Sequence, residues 1–459
     1  MAKGWVLIVD DDAALVKSLS SILYDAGFIV SSTSDGSEAL ALIRTVAPAV
    51  VLLDIWLPGM DGVETLQALR AMHIDVEVIA MSGHGNIATA VQMIKLGAFD
   101  YLEKPLSLYR VLGVIERAFT HREHRYNSGS QDAVHAPTAV AATRATPLNP
   151  TYRQAATSAA HTSTRSWWQG PVALQASSPS RQRTLDRSVV LYGQGLQSGL
   201  KTGMILSPMP PNSGIFFRSI TTGKTVPASV DFIESTDFCT SLKRGCIAAR
   251  TVEHLMSALH AYRITNTLIK ISDEVPIMDG SAHAFCRLIE EAGIVEQDAV
   301  MEEFIVDQCY AIGQVRADTK FILVEPYDGF RVTYRLDYPP PLGVQEFSYE
   351  HKDSTSYRDE IAPARTFAFV KEVERMHELG LIAGGRLTNV VLIGDEKIIN
   401  STPLRFPNEC VRHKILDIIG DFYLLGRMLR GHVRANMTGH TENIALVQKL
   451  RAVMPRSTE

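Results

Sequence analysis

Cysteine is scarce in this chain: Cys239, Cys246, Cys286, Cys309 and Cys410 are the only five among 459 residues. No two of them form a C-x-x-C pair, so neither a disulfide framework nor a thiolate metal site is indicated. Long apolar runs are missing as well. No stretch reaches the roughly eighteen consecutive apolar residues of a spanning helix. Met1 to Trp5 lead straight into a strand-like segment without the apolar core of a signal peptide. No transmembrane segment and a cytoplasmic location are the expectations. A basic excess is also absent, with 45 Lys and Arg against 50 Asp and Glu and a formal net charge of −5. No overall field recruits nucleic acid or anionic membrane, and direct nucleic-acid binding is not expected. What remains is ordinary globular material, 46% hydrophobic and 21% charged, in a length that suits roughly two to four domains.

Three segments differ in pattern. Over residues 5–118 short apolar runs (Trp5–Val9, Phe28–Ser31, Val50–Leu53, Val76–Met81, Tyr101–Leu102) alternate with amphipathic stretches, the last at Leu108–Phe119. Five such repeats with nearly continuous apolar strands predict an α/β doubly wound, five-stranded parallel sheet covered on both faces. Ala, Ser, Thr, Gln and Pro then dominate and periodicity disappears, which predicts a flexible linker over residues 123–180, with Trp167 and Trp168 an oddity inside it. The remainder, residues 181–459, mixes strand-like pieces such as Thr267–Ile271 and Phe330–Leu336 with helix-like pieces such as Val252–Ala261 and Glu409–Leu425. It reads as an α+β fold of two layered subdomains.

In the first segment acidic residues stand at strand ends. Asp10, Asp11 and Asp12 follow the first strand, and Asp54 follows the third. Ligands of a doubly wound sheet collect outside the carboxyl ends of its strands, and converging carboxylates suit Mg²⁺. Ser82 closes the fourth strand and Lys104 follows the fifth, so a hydroxyl and an ammonium group stand ready for a phosphoryl group. Any one strand-end Asp is more often a turn or cap residue; the ordered set of five is what carries weight. Through Val9-Asp10-Asp11, Leu53-Asp54, Pro58-Gly59-Met60-Asp61-Gly62, Ser82-Gly83 and Lys104-Pro105, residues 4–120 resemble response-regulator receiver domains. The resemblance implies Asp54 as phosphoacceptor and Asp10, Asp11 and Asp54 around Mg²⁺. It further implies Ser82 and Lys104 on the phosphoryl group, Tyr101 as switch aromatic, and a sensor histidine kinase or other phosphodonor as partner. A receiver-mediated dimer is compatible with it.

In the third segment His413, Asp417 and Asp421 are spaced i, i+4, i+8 and share one helix face. Two of them with the distant His254 make three N/O ligands and leave a tetrahedral position open, as a catalytic zinc site does. Glu253 beside a ligand is placed to take a proton from water. Singly these signals are weak, since a lone helical His is more often packed or solvated, and H-E-x-x-H is absent. The blocks Thr251-Val252-Glu253-His254-Leu255, Pro276–Ala282, Ala364-Arg365-Thr366-Phe367, Arg412-His413-Lys414 through Asp417, Gly420-Asp421 and Gly439-His440 make residues 184–445 resemble the UDP-3-O-acyl-N-acetylglucosamine deacetylases of lipid A biosynthesis.

That resemblance implies zinc on His254, His413 and Asp417, and Glu253 as the base that activates water against the N-acetyl carbonyl. Thr366 would stabilise the oxyanion, and His440, oriented by Asp421, would protonate the leaving amine. Lys414, Phe367 and Phe369 would meet substrate. Phe369–Gly385 corresponds to an insert forming an apolar passage for the acyl chain, for which Val370, Val373, Leu379, Leu381 and Ile382 suit, with core packing equally open for each. Pro276–Ala282 reads as turn chemistry and is taken as structural. One departure stands out: the family's Gly-x-Gly-Leu-His-Ser/Thr-Gly is here Gly193-Gln194-Gly195-Leu196-Gln197-Ser198-Gly199. Gln197 carries no proton, which puts a contact near the cleft in doubt. The resulting expectation is a zinc amidohydrolase regulated through its receiver. The competing expectation is a phosphorelay or transcription regulator with an inactive deacetylase-like module.

Overall fold

The computed structural model describes residues 3–83, 87–104, 106, 108–129, 180–316, 318–400 and 402–454. The N-terminal part follows the predicted alternation. Strands β1 (Trp5–Val9), β2 (Ile29–Thr33), β3 (Val50–Asp54), β4 (Glu77–Ser82) and β5 (Asp100–Glu103) form one parallel sheet in the order β2-β1-β3-β4-β5. Helices α1 (Ala13–Asp25), α2 (Gly36–Val46), α3 (Gly62–Ala71), α4 (Ile87–Lys95) and α5 (Leu108–Gly129) connect and flank them. Alternate side chains of each strand serve opposite faces. Val6, Ile8, Val50 and Leu52 join the core with α1 and α5, whereas Leu7, Val9, Val51 and Leu53 join the core with α2, α3 and α4. Each such buried aliphatic side chain contributes about 1.5–3 kcal/mol relative to exposure.

Helix α5 runs past the expected helix end at Phe119 and the expected domain limit at residue 122, through Gly129. Contacts tie it back beside β4: Arg125 binds Asp75 at 2.8 Å and also meets Glu77, and His121 lies 2.9 Å from Glu77. The rest of the expected linker, with Trp167 and Trp168, lies outside the described residues.

The C-terminal part has two main sheets. The first orders Thr225–Pro227, Ile215–Ser219, Thr267–Ile271, Lys201–Pro208 and Val189–Gln194. The second orders Tyr310–Gly313, Phe321–Glu325, Met428–Asn436, Phe330–Asp337 and Val344–Glu350. Helix Glu253–Ala261 packs against helix Glu409–Tyr423 in the common core. Gly420 permits that approach, because a Cβ there would stand 2.0 Å from the Glu253 carbonyl oxygen. The Gly420-Asp421 pair is therefore where two helices touch backbone to backbone, beside the residues expected to do chemistry. Among the described residues no helix is long and apolar enough to cross a membrane.

Candidate active site

The crossing of these two helices assembles the expected ligand set. One ligand atom from each of His254, His413 and Asp417 lies within 4.8 Å of the others. His413 Nε2 is 3.4 Å and His254 Nε2 3.9 Å from Asp417 Oδ1, and the two imidazoles stand nearly perpendicular at 87°. The Ala364 carbonyl, 3.1 Å from His413 Nδ1, fixes that ring so that Nε2 faces the cluster. All three side chains are buried, and Asp417 Oδ1 has no hydrogen-bond partner. An orphaned buried carboxylate oxygen beside two imidazoles fits a metal ion, since such atoms otherwise cost free energy unpaired.

The electrostatics agree with that donor set. Burial, reinforced by His413, pushes His254 down to about 3, and burial likewise lowers His413, so both rings are neutral donors at neutral pH. Burial alone would raise Asp417, but His413 and Lys414 outweigh it and hold the carboxyl well below its usual range. Lys414 Nζ lies 3.2 Å from Asp417 Oδ2, leaving Oδ1 for the cluster.

Around this centre lies a cleft of about 400 Å³. Glu253, Lys414, Thr366, Phe367, Phe369 and His440 line it, so each residue expected at the reaction centre or on substrate is brought there. Asp421 stands behind His440, its Oδ2 2.8 Å from His440 Nδ1. Burial disfavours the charged imidazole, yet Asp421, Asp417 and Glu253 outweigh it and hold the pKa of His440 up at about 9. Burial pushes Glu253 up to about 8, and its Oε2 accepts from the Thr240 N–H at 3.0 Å. Thr366 is held by its backbone: its N–H donates to the Gly280 carbonyl at 2.8 Å, and its carbonyl accepts from Val391 N–H. Through Gly280 the Pro276–Ala282 block supports Thr366.

Sequence reasoning missed two residues. Thr240 Oγ1 donates to Asp421 Oδ1 at 2.6 Å, and Asn443 Nδ2 donates to Asp421 Oδ2 at 2.9 Å. Together they orient the carboxylate that orients His440. Asn443 at i+3 from His440 carried a weak helical signal; Thr240 carried none. Two questions left open by the sequence are answered by position. Val373 and Ile382 are buried in a core with α4 and do not line the described cleft, and Leu379 is exposed; Phe369, Glu372 and Met376 supply the insert's cleft side instead. Gln197 makes no cleft contact either. Its Oε1 accepts from the Ile382 N–H at 3.1 Å, and Glu274 accepts from its backbone N–H at 2.7 Å.

The receiver pocket is also assembled. Lys104 Nζ lies 2.7 Å from Asp10 Oδ2 and 2.9 Å from Asp54 Oδ2. Ligand atoms of Asp10, Asp11 and Asp54 lie within 4.8 Å of one another, a set that fits a hard divalent cation. Burial raises the Asp54 carboxyl against the lowering pull of Lys104. Ser82 at the end of β4 and Tyr101 within β5 are fully buried.

Receiver-type and deacetylase-type architectures thus share one chain, and the comparisons agree. Residues 6–116 match the response regulator receiver domain. Residues 182–452 match the UDP-3-O-acyl N-acetylglycosamine deacetylase family, and the chain belongs to that family. The UDP-3-O-acyl-N-acetylglucosamine deacetylase of Coxiella burnetii (strain CbuK_Q154) is 42% identical over 277 residues, 59% of this chain and 90% of that protein. The enzyme of the same name from Thioalkalivibrio sulfidiphilus (strain HL-EbGR7) is 40% identical over 278 residues, with 59% and 90% covered. Among solved structures, the receiver domain of NtrX from Brucella abortus is 41% identical, covers 25% of this chain and 98% of that one, and has a TM-score of 0.24.

Proposed function

We propose that the chain hydrolyses the N-acetyl group of UDP-3-O-acyl-N-acetylglucosamine, giving acetate and the free amine, as the committed step of lipid A biosynthesis. The observation that carries this reading is the convergence of His254, His413 and Asp417 with Glu253 and His440 at one cleft. The three-ligand set suits zinc, which when bound supplies Lewis-acid polarisation and a more acidic water.

Glu253, held by Thr240, takes the proton of the attacking water. Its raised pKa makes it a stronger base than an exposed carboxylate. The Thr366 hydroxyl meets the developing oxyanion. His440, kept cationic by Asp421, gives its proton to the leaving nitrogen. Lys414 keeps Asp417 ionised and presents a positive charge to the substrate side of the cleft. Phe367 and Phe369 offer apolar surface to the acyl-bearing sugar. In the receiver, Asp54 accepts a phosphoryl group from a histidine kinase or other phosphodonor, with Mg²⁺ held by Asp10, Asp11 and Asp54 and the charge met by Lys104 and Ser82.

The test measures acetate release and zinc content for wild type, Glu253→Ala and His254→Ala. Turnover in wild type, loss of turnover with zinc retained in Glu253→Ala, and loss of both in His254→Ala are expected. An inactive, metal-free wild type would favour the regulator reading.

A further inference from the structure

The insert has two faces, and the receiver covers one of them. Phe369, Glu372 and Met376 line the cleft. Val373 and Ile382 are instead buried in one core with Ile87, Ala90 and Val91 of α4. Polar contacts reinforce this seam. Ile87 N–H donates to the Gly385 carbonyl at 3.1 Å, and Lys95 pairs with Glu374. Lys397 Nζ, beyond the insert, donates to the Phe99 carbonyl at 2.8 Å and to Asp100 at 3.1 Å while lying over the Phe99 ring. Gly385 allows the close fit, since a Cβ there would come 2.8 Å from Ile87 Cγ2.

The inner side is tied just as closely. Gln197 Oε1 holds the Ile382 N–H, and the Gln197 and Leu196 carbonyls accept from Ala383 and Gly384. Leu196 and Met376 both line the cleft and pack into the core shared with α4. A displacement of α4 therefore reaches cleft-lining side chains through this shared core. On the receiver side the seam is close to the phosphoacceptor pocket: Ser82 ends β4, its carbonyl accepts from the Lys104 N–H, and the chain enters α4 at Ile87.

We propose that the α4–β5 surface of the receiver is a structural wall of the deacetylase, seated on the outer face of the 369–385 insert so that its docking sets how tightly the acylated sugar substrate is held. The metal cluster and the proton-transfer groups come from other helices, so docking acts on substrate affinity and leaves the chemical step alone. This rests on the deacetylase reading for the identity of the substrate.

The experiment uses the full chain and the variant Ile87→Asp, which places a charge in the seam at a residue that does not itself line the cleft. Three quantities are read: amide hydrogen exchange across 369–385, KM and kcat for acetate release, and substrate affinity by calorimetry on a Glu253→Ala background. Mg²⁺ titration of the fluorescence of Trp56, exposed two residues after Asp54, shows that the receiver remains folded. Faster exchange in the insert and an affinity weakened about tenfold, with kcat within about twofold, are expected. Lys95→Glu should weaken affinity less, and adding Glu374→Lys should restore it. Unchanged insert exchange and unchanged affinity in Ile87→Asp, with Mg²⁺ binding intact, would overturn the proposal. Absence of turnover in wild type would instead count against the deacetylase reading, and exchange and calorimetry would still decide on docking.

Discussion

Two carboxylate-centred sites share this chain, and they treat their aspartates in opposite ways. In the cleft, burial acts to raise Asp417, but His413 and Lys414 outweigh it and keep the group ionised. In the receiver pocket burial is the larger effect, so the Asp54 carboxyl is raised despite Lys104 at 2.9 Å. The first arrangement makes a permanent anionic donor. In the second, one cation, Lys104, pulls against burial and the neighbouring Asp10. What separates them is the charged company each keeps: His413 and Lys414 lead several groups that lower Asp417, whereas Lys104 lowers Asp54 and the neighbouring Asp10 raises it.

The largest expected break in this comparison is chemical. Glu253→Ala should lower kcat by about 10²–10⁴-fold, the range for a lost general base, while zinc content and receiver phosphorylation stay as in wild type. Asp54→Asn should do the reverse, abolishing phosphoryl transfer and leaving kcat within about twofold; a large fall in kcat there would show the two sites to be one chemical unit.

Asp421→Asn sharpens the contrast by pH. Glu253 must be ionised to act as base and His440 must carry its proton to act as acid, so activity should rise as pH passes the Glu253 value of about 8 and fall as it passes the His440 value of about 9. Removing the Asp421 charge lowers the His440 pKa, so the alkaline limb of kcat should move to lower pH, with an overall loss of roughly 10²-fold. An unmoved limb would mean that another group carries the proton.

Gly420→Ala should cost stability more than chemistry. Its Cβ would collide with the Glu253 carbonyl, and such overpacking costs about 1–3 kcal/mol, readable as a lower Tm. The smallest effect is expected in the receiver. Protonation of Asp54 competes with Mg²⁺, and its pKa is raised, so Mg²⁺ affinity should begin to fall, as pH drops, above the ordinary carboxylate range. Lys104→Met removes the cation that lowers Asp54, which should shift this transition to still higher pH in Trp56 fluorescence titrations.

The receiver sheet was legible residue by residue because period and burial coincide there: buried parallel strands are continuous apolar runs, and their ends place Asp10, Asp54, Ser82 and Lys104 automatically. The helices of the deacetylase part were legible for the same kind of reason, Glu409–Tyr423 above all. Strand Met428–Asn436, central to the second sheet, was not read, although Arg430, His432 and Arg434 alternate along it, because those polar side chains find Glu303, Asp328 and Glu325 only in distant parts of the chain.

By itself, then, the sequence pointed to the two architectures, and through its resemblance to the two families to the candidate ligands, base and acid. Local periodicity and motif spacing depend on covalent neighbours, which a linear reading contains. Only the tertiary structure decided that Thr240 and Asn443 hold Asp421, that Gln197 serves the insert and not the cleft, and that Val373 and Ile382 face α4. Each of these depends on which side a residue shows to a partner far along the chain, and that is set by packing.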